Sequence, residues 1–219
     1  MTILGIHNIA FTLAGGGVSW LELASVIFGL GCVILAGRNS KANFWVGYFY
    51  NILLFMLFYH QHLYSAMLIQ PVAFFINAYG HYRWSHPHKG EESDGDAKKL
   101  KVRRLDAKEW GMAAVIVLLA TMVWGFVLTK LGTSWGVGTF EPDPSPWLDA
   151  FSLMITFLAQ ILSAMKMLDC WYVWLVVNVI NISLYLSAGL VFMPLVSVLY
   201  LANGIWSLLT WNKLYKKGK

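Results

Sequence analysis

Long apolar runs broken by short polar stretches dominate the chain, and the runs exceed what the strands or core helices of a soluble domain need. A hydrocarbon core about 30 Å thick takes roughly 20 residues to cross, and on that measure the pattern predicts seven membrane helices. They cover Val18 to Gly37, Phe44 to Tyr59, Leu63 to Trp84, Trp110 to Thr129, Trp147 to Met165, Trp171 to Ser187 and Leu190 to Trp211. Between them fall a lead-in (1–17), a first group of three helices (18–84), a charged cytoplasmic linker (85–109), a linker helix (110–129), an external Gly/Pro-rich loop (130–146), a second group of three helices (147–211) and a basic cytoplasmic tail (212–219). The linker holds Glu91-Glu92-Ser-Asp-Gly-Asp96 followed by Lys98-Lys99-Leu-Lys101-Val-Arg103-Arg104. Its charge and lack of apolar period predict a solvated segment.

Composition makes the same case. The chain is 58% hydrophobic and 12% charged, against about 25% charged in a soluble domain, and its mean hydropathy is +0.59. This predicts an all-α integral membrane protein, with the lipid bilayer as its first partner. Seven spans nearly exhaust 219 residues, and no Gly-x-x-x-x-Gly-Lys-Ser/Thr loop occurs, so nothing points to ATP hydrolysis. The net charge of +5 sits beside the spans and reads as a topology signal, not as a nucleic-acid surface. With the linker cytoplasmic, Lys130 is the one residue of the sixteen Lys and Arg left outside, which predicts an outside N-terminus and a cytoplasmic C-terminus. Cys32 and Cys170 fall in or beside apolar spans and read as thiols without a bridge.

The chain also repeats itself at an offset of 127 residues. Trp20-Leu21-Glu22 then overlies Trp147-Leu148-Asp149, Ser25 meets Ser152, Ile34-Leu35 meet Ile161-Leu162, and Asn51 meets Asn178 without a gap, while Asn77 meets Asn203 within one residue. Both groups of three enter the membrane from the same side. Parallel repeats of this kind, related by an axis along the membrane normal, place a solute site near the midplane between them.

Polar side chains at that depth are the candidate chemistry. On a helix, Trp171, Trp174 and Asn178 share one face that Asn181 and Tyr185 continue. Asn178 lies about 10 Å past Trp171, close to mid-depth. Gln160, Asn51 and Gln70 reach a similar level on three other helices, with Asn77 and Asn203 nearer the cytoplasmic end. An unpaired amide in an apolar medium costs several kcal/mol. These carboxamides therefore either line a solute path or bond helix to helix, and the residues alone leave both readings open.

No Asp, Glu, Lys or Arg falls in the central part of a span, which favours passive, facilitated movement over ion coupling. Glu22 and Asp149 open the first and fifth spans as charges favoured at helix N-termini, and could also draw cations to an entrance. His60-x-His62 and His86-x-His88 lack the supporting cluster of a metal site. No nucleophile beside a base suggests an enzyme, and no cofactor is expected.

The stripe Trp171-x-x-Trp174-x-x-x-Asn178, with Gln160 and Lys166 before it, the Trp147-Leu-Asp149 opening, and the run from Leu63-Tyr64 through Gln70 to Asn77-Ala-Tyr-Gly80 resemble the nicotinamide riboside transporter family, PnuC. The resemblance extends roughly from Trp20 to Trp211. It implies a three-plus-one-plus-three arrangement similar to the SWEET sugar facilitators, carrying nicotinamide riboside across the bacterial inner membrane. It further implies a homotrimer, and uptake drawn by phosphorylation through a cytoplasmic nicotinamide riboside kinase. The site residues would be Trp171, Trp174, Asn178, Gln160, Gln70, Asn51, Asn77, Asn203 and Tyr185. Two alternatives stand beside this: thiamine or another riboside as the solute, and a membrane scaffold or binding subunit that needs a separate energising partner.

Overall fold

The computed structural model describes residues 8–13, 16–60, 64–93, 96–131, 146–187 and 192–217. Seven helices carry the fold: α1 (Trp20–Gly37), α2 (Ala42–His60), α3 (Tyr64–Ser85), α4 (Ala107–Leu131), α5 (Pro146–Ala164), α6 (Cys170–Ser187) and α7 (Phe192–Lys217). Five of them, α1, α2, α4, α5 and α7, are long and apolar enough to cross a membrane. In α3, Gln70, Asn77, His81 and Arg83 dilute the apolar character that the others keep. The molecule is an all-α membrane protein.

Helix ends follow local chemistry. Ser19 caps α1: its Oγ accepts from Glu22 N at 3.2 Å, and its own N–H donates to Glu22 Oε2 at 2.8 Å. This reciprocal pair satisfies two of the donors a helix start leaves open, so α1 begins at Trp20 and not at Val18. The lead-in is not featureless, because two short strands, β1 (Ile9–Leu13) and β2 (Gly16–Ser19), pair antiparallel in front of α1. At the other end, α7 runs through Lys217, so the basic tail is helical over its described residues.

Six helices form a ring. α1 packs on α2 and α2 on α3; α5 packs on α6 and α6 on α7; α3 meets α5, and α1 meets α7. α4 packs against α5, outside the ring. Exchanging α1, α2, α3 for α5, α6, α7 leaves this pattern of neighbours unchanged.

The turns after α1 and α5 share the 127-residue offset down to single bonds. Asn39 and Lys166 both take the left-handed conformation, at φ 57° and 59°. Asn39 N donates to Ala36 O and Ser40 N to Leu35 O, as Lys166 N does to Ser163 O and Met167 N to Leu162 O. These bonds close the carbonyls that a helix end leaves open.

The linker departs from the sequence reading. It forms a small hairpin, β3 (Glu92–Ser93) and β4 (Asp96–Leu100), and then docks on the turn between α5 and α6. Leu168 N donates to Arg103 O at 2.8 Å, and Lys166 Nζ to Leu100 O at 2.6 Å. Leu100 and Val102 are buried there. Their two-residue spacing was masked by the surrounding charge, so the segment is only partly solvated. Asp169, 1% exposed, anchors the junction by accepting from Leu105 N at 2.8 Å beside the Arg104 guanidinium at 3.5 Å.

Candidate functional site

The ring encloses a cavity of about 470 Å³ lined by α1, α2, α3, α5, α6 and α7. It extends from Glu22 and Met193, near the starts of α1 and α7, to Trp84 and Trp211, near the ends of α3 and α7. Eight of the nine residues singled out by sequence line it together: Asn51, Gln70, Asn77, Gln160, Trp171, Trp174, Asn178 and Asn203. The side chain of Tyr185 lies outside the described residues. Asn181 also faces the cavity, and its Oδ1 accepts from Ser152 Oγ at 3.3 Å.

The individual amides divide into held and free groups. Asn178, buried, returns its Nδ2 to Trp174 O at 2.8 Å, a bond within one helix that leaves the carboxamide standing in the cavity wall. Asn77 Nδ2 donates to Phe44 O at 2.9 Å and so ties α3 to α2. Asn203 Nδ2 is buried with no partner, and so is Trp171 Nε1. A buried unpaired donor costs about 1–3 kcal/mol, and two of them in the wall of one cavity leave acceptor-binding capacity for a solute.

The indoles are arranged as a cluster at one end. Trp174 Nε1 donates to Ser163 Oγ at 3.2 Å. Trp171 is 3% exposed and meets Trp211 edge to face, centroids 5.5 Å apart. Trp211 in turn meets Trp84 at 5.7 Å, and Trp84 meets Phe44 at 5.0 Å. Sequence reasoning missed Trp84, Trp211 and Phe44. The signal was available: at an offset of 127, Trp84 falls on Trp211 and Phe44 on Trp171. It also missed Tyr50 and Tyr200, which line the cavity around Gly29, where a Cβ would collide with the Tyr200 hydroxyl.

Among the described residues lining the cavity, Glu22 is the one charged side chain. Its carboxylate is engaged by Ser19 at the cap of α1. The cavity is thus a largely apolar chamber with amides and aromatic rings set in its wall and a single acid toward one end. It suits a neutral or cationic solute carrying several hydroxyl or amide groups. Cys32 and Cys170 are both free thiols, and Cys32 lies in the wall. His62 lies outside the described residues, so the His60-x-His62 pair has no geometry to report.

A ring of membrane helices around a central chamber with amides in its wall is the architecture of a multi-pass membrane transporter. A family profile described as "Nicotinamide mononucleotide transporter" matches residues 19–213, and the chain belongs to that family. It is 29% identical over 216 residues to the nicotinamide riboside transporter PnuC of Escherichia coli (strain K12), covering 89% of this chain and 87% of that one. It is 28% identical over 210 residues to the riboflavin/roseoflavin transporter RibM of Streptomyces davaonensis, covering 94% and 91%. The solved structure described as the crystal structure of the vitamin B3 transporter PnuC shares the fold, with a TM-score of 0.67 at 23% identity over 91% of this chain and 83% of that one. These relatives are transporters and not enzymes.

Proposed function

We propose that the chain carries nicotinamide riboside by facilitated diffusion through the central cavity, binding it among Trp171, Trp174, Asn178, Gln160, Gln70 and Asn51, with Asn77, Asn203 and Tyr185 completing the path. The observation that carries this reading is the composition of the wall. Amides and indoles line it, and no Lys or Arg stands among its described residues. The pyridinium ring of the riboside is cationic, and Trp faces attract such rings by about 0.5–2 kcal/mol each once desolvated. The free donors of Trp171 and Asn203 suit ribose oxygens or the carboxamide oxygen. A mononucleotide phosphate would meet no cation in this wall, which favours the riboside over the mononucleotide.

The matched turns at Asn39 and Lys166 support reading α1–α3 and α5–α7 as parallel repeats that rock about the cavity, with α4 as connector. The distribution of basic residues supports a cytoplasmic placement for the end that holds Lys166, the linker and the end of α7. Net uptake then depends on phosphorylation of the vitamin inside by a riboside kinase. α4 exposes Met112, Ile116, Leu119 and Val123 along one face, which would serve a homotrimer contact as well as lipid. The similarity to RibM favours riboflavin as the second reading for the solute.

The test is uptake of labelled nicotinamide riboside by proteoliposomes holding this protein alone. The reading expects equilibration without ATP or an ion gradient, and its loss in Asn178→Ala and Trp174→Ala. No uptake by well-folded protein would favour a binding subunit that needs an energising partner.

A further inference from the structure

A second pocket, of about 350 Å³, lies away from the central cavity, where α3 runs into the linker. Arg83, Glu91, Lys101, Arg103, Met165 and Tyr215 stand in its wall. Arg83 is the informative member. Its side chain is only 11% exposed, and its Nη2 donates to Glu91 Oε2 at 2.7 Å. Its Nη1 is buried with no partner. A guanidinium presents five donors in a rigid fork; Glu91 fixes the fork through Nη2, Tyr79 stands beside the guanidinium, and Nη1 is left for a second oxyanion to satisfy. Arg103 is held in the same way, giving Nη2 to Glu109 Oε1 at 2.9 Å. Lys101, which has a contact of its own, stands in the same wall.

We propose that this pocket is an anion site for a phosphomonoester, bound by the free edge of Arg83 with Lys101 and Arg103 completing the charge. Planar forks match phosphate oxygens two at a time, which a compact ammonium cannot do. The volume is at the lower end of small-molecule sites, about 300–1,000 Å³, and suits a small ester better than a dinucleotide. The site rests on the cytoplasmic placement proposed above, where the phosphorylated product of an imported riboside would accumulate. Leu100 and Val102 lie in the same wall, and Lys166 holds the Leu100 carbonyl. An occupant therefore braces the linker against the turn between α5 and α6, coupling the level of phosphorylated product to the moving half. The phosphate could come from a soluble sugar ester or from an anionic lipid headgroup.

The experiment is calorimetric titration of the full chain in detergent with ribose 5-phosphate, inorganic phosphate, ribose and dioctanoyl phosphatidic acid. Saturable binding of ribose 5-phosphate is expected, with ribose silent, and a loss of about tenfold or more in Arg83→Gln. Lys101→Gln should weaken it as well. Binding of the lipid with both soluble phosphates silent keeps the site and assigns its phosphate to the membrane. Silence from all the phosphate probes, or binding that both variants leave unchanged, overturns the proposal. Nicotinamide riboside titrated into the same samples reports on the central cavity separately, so failure of one reading is not mistaken for failure of the other.

Discussion

Trp84 and Trp211 stand with ring centroids 5.7 Å apart, and each donates its indole N–H to a backbone carbonyl across the seam between the two groups of three helices. Trp84 on α3 reaches Ser163 O on α5 at 3.2 Å, and Trp211 on α7 reaches Ala36 O on α1 at 3.1 Å. Donors and acceptors alike are separated by 127 residues. A bond that recurs with its partner under the repeat marks the place where the two halves are joined.

Replacing either indole by Phe keeps a ring but removes one of two donors to its carbonyl, since the turn N–H of Asn39 or Lys166 stays on it. Trp84→Phe and Trp211→Phe should each lower stability by about 0.5–1.5 kcal/mol, and by similar amounts, in thermal unfolding of the detergent-solubilised protein. A neutral result at one position and a large loss at the other would argue against equivalent roles.

The two halves solve one close contact in opposite ways. At Gly37 a Cβ would fall on Ser207 Oγ, whereas at the corresponding places Ala164 stands against Gly80. Gly37→Ala should therefore destabilise by about 1–3 kcal/mol, the usual cost of overpacking. Adding Ser207→Gly should restore much of the loss, because the pair then matches Ala164 and Gly80. Additive losses in the double variant would contradict this.

The junction of the linker depends on Asp169, which accepts from Leu105 N while buried. Asp169→Ala leaves that N–H without its acceptor and should cost about 1–3 kcal/mol. The expected readout is faster proteolysis within residues 86–106, with the helices protected. Unchanged cleavage would mean the hairpin holds without this anchor.

Acid should loosen the other end of the linker. The Arg83 guanidinium, hydrogen-bonded to Glu91, holds that carboxyl below its ordinary value, and the His88 N–H adds to the effect. A lowered carboxyl value means the contact contributes fully above about pH 4–5, the ordinary glutamate range, and is lost as pH falls through the lowered value. Hydrogen exchange at residues 88–92 should rise only in that acid range and should become independent of it in Glu91→Gln. Because Glu91 is 40% exposed, solvent screens the pair and the effect on global stability is small.

The number of helices was legible because seven apolar runs admit little else, and part of the cavity lining was legible because amides at mid-depth are costly unless used. Asn51, Gln70, Gln160 and Asn178 were found that way, and they line one cavity. Trp84 and Trp211 escaped notice because an indole near a helix end reads as an interfacial anchor until its partner carbonyl is known. Leu100 and Val102 were lost among lysines and arginines, where two apolar residues set no visible period. Asp169 was not singled out, since burial of a carboxylate beside a loop depends on a segment more than sixty residues away in the chain, Leu105.

The most direct measurement is calorimetric titration of the purified protein with nicotinamide riboside, alongside nicotinamide mononucleotide, thiamine, nicotinamide and riboflavin. The account predicts saturable binding of nicotinamide riboside alone, weakened in Trp174→Ala and Asn178→Ala. Saturable binding of riboflavin or thiamine with the riboside silent, or equal affinity for the riboside in wild type and both variants, would contradict it.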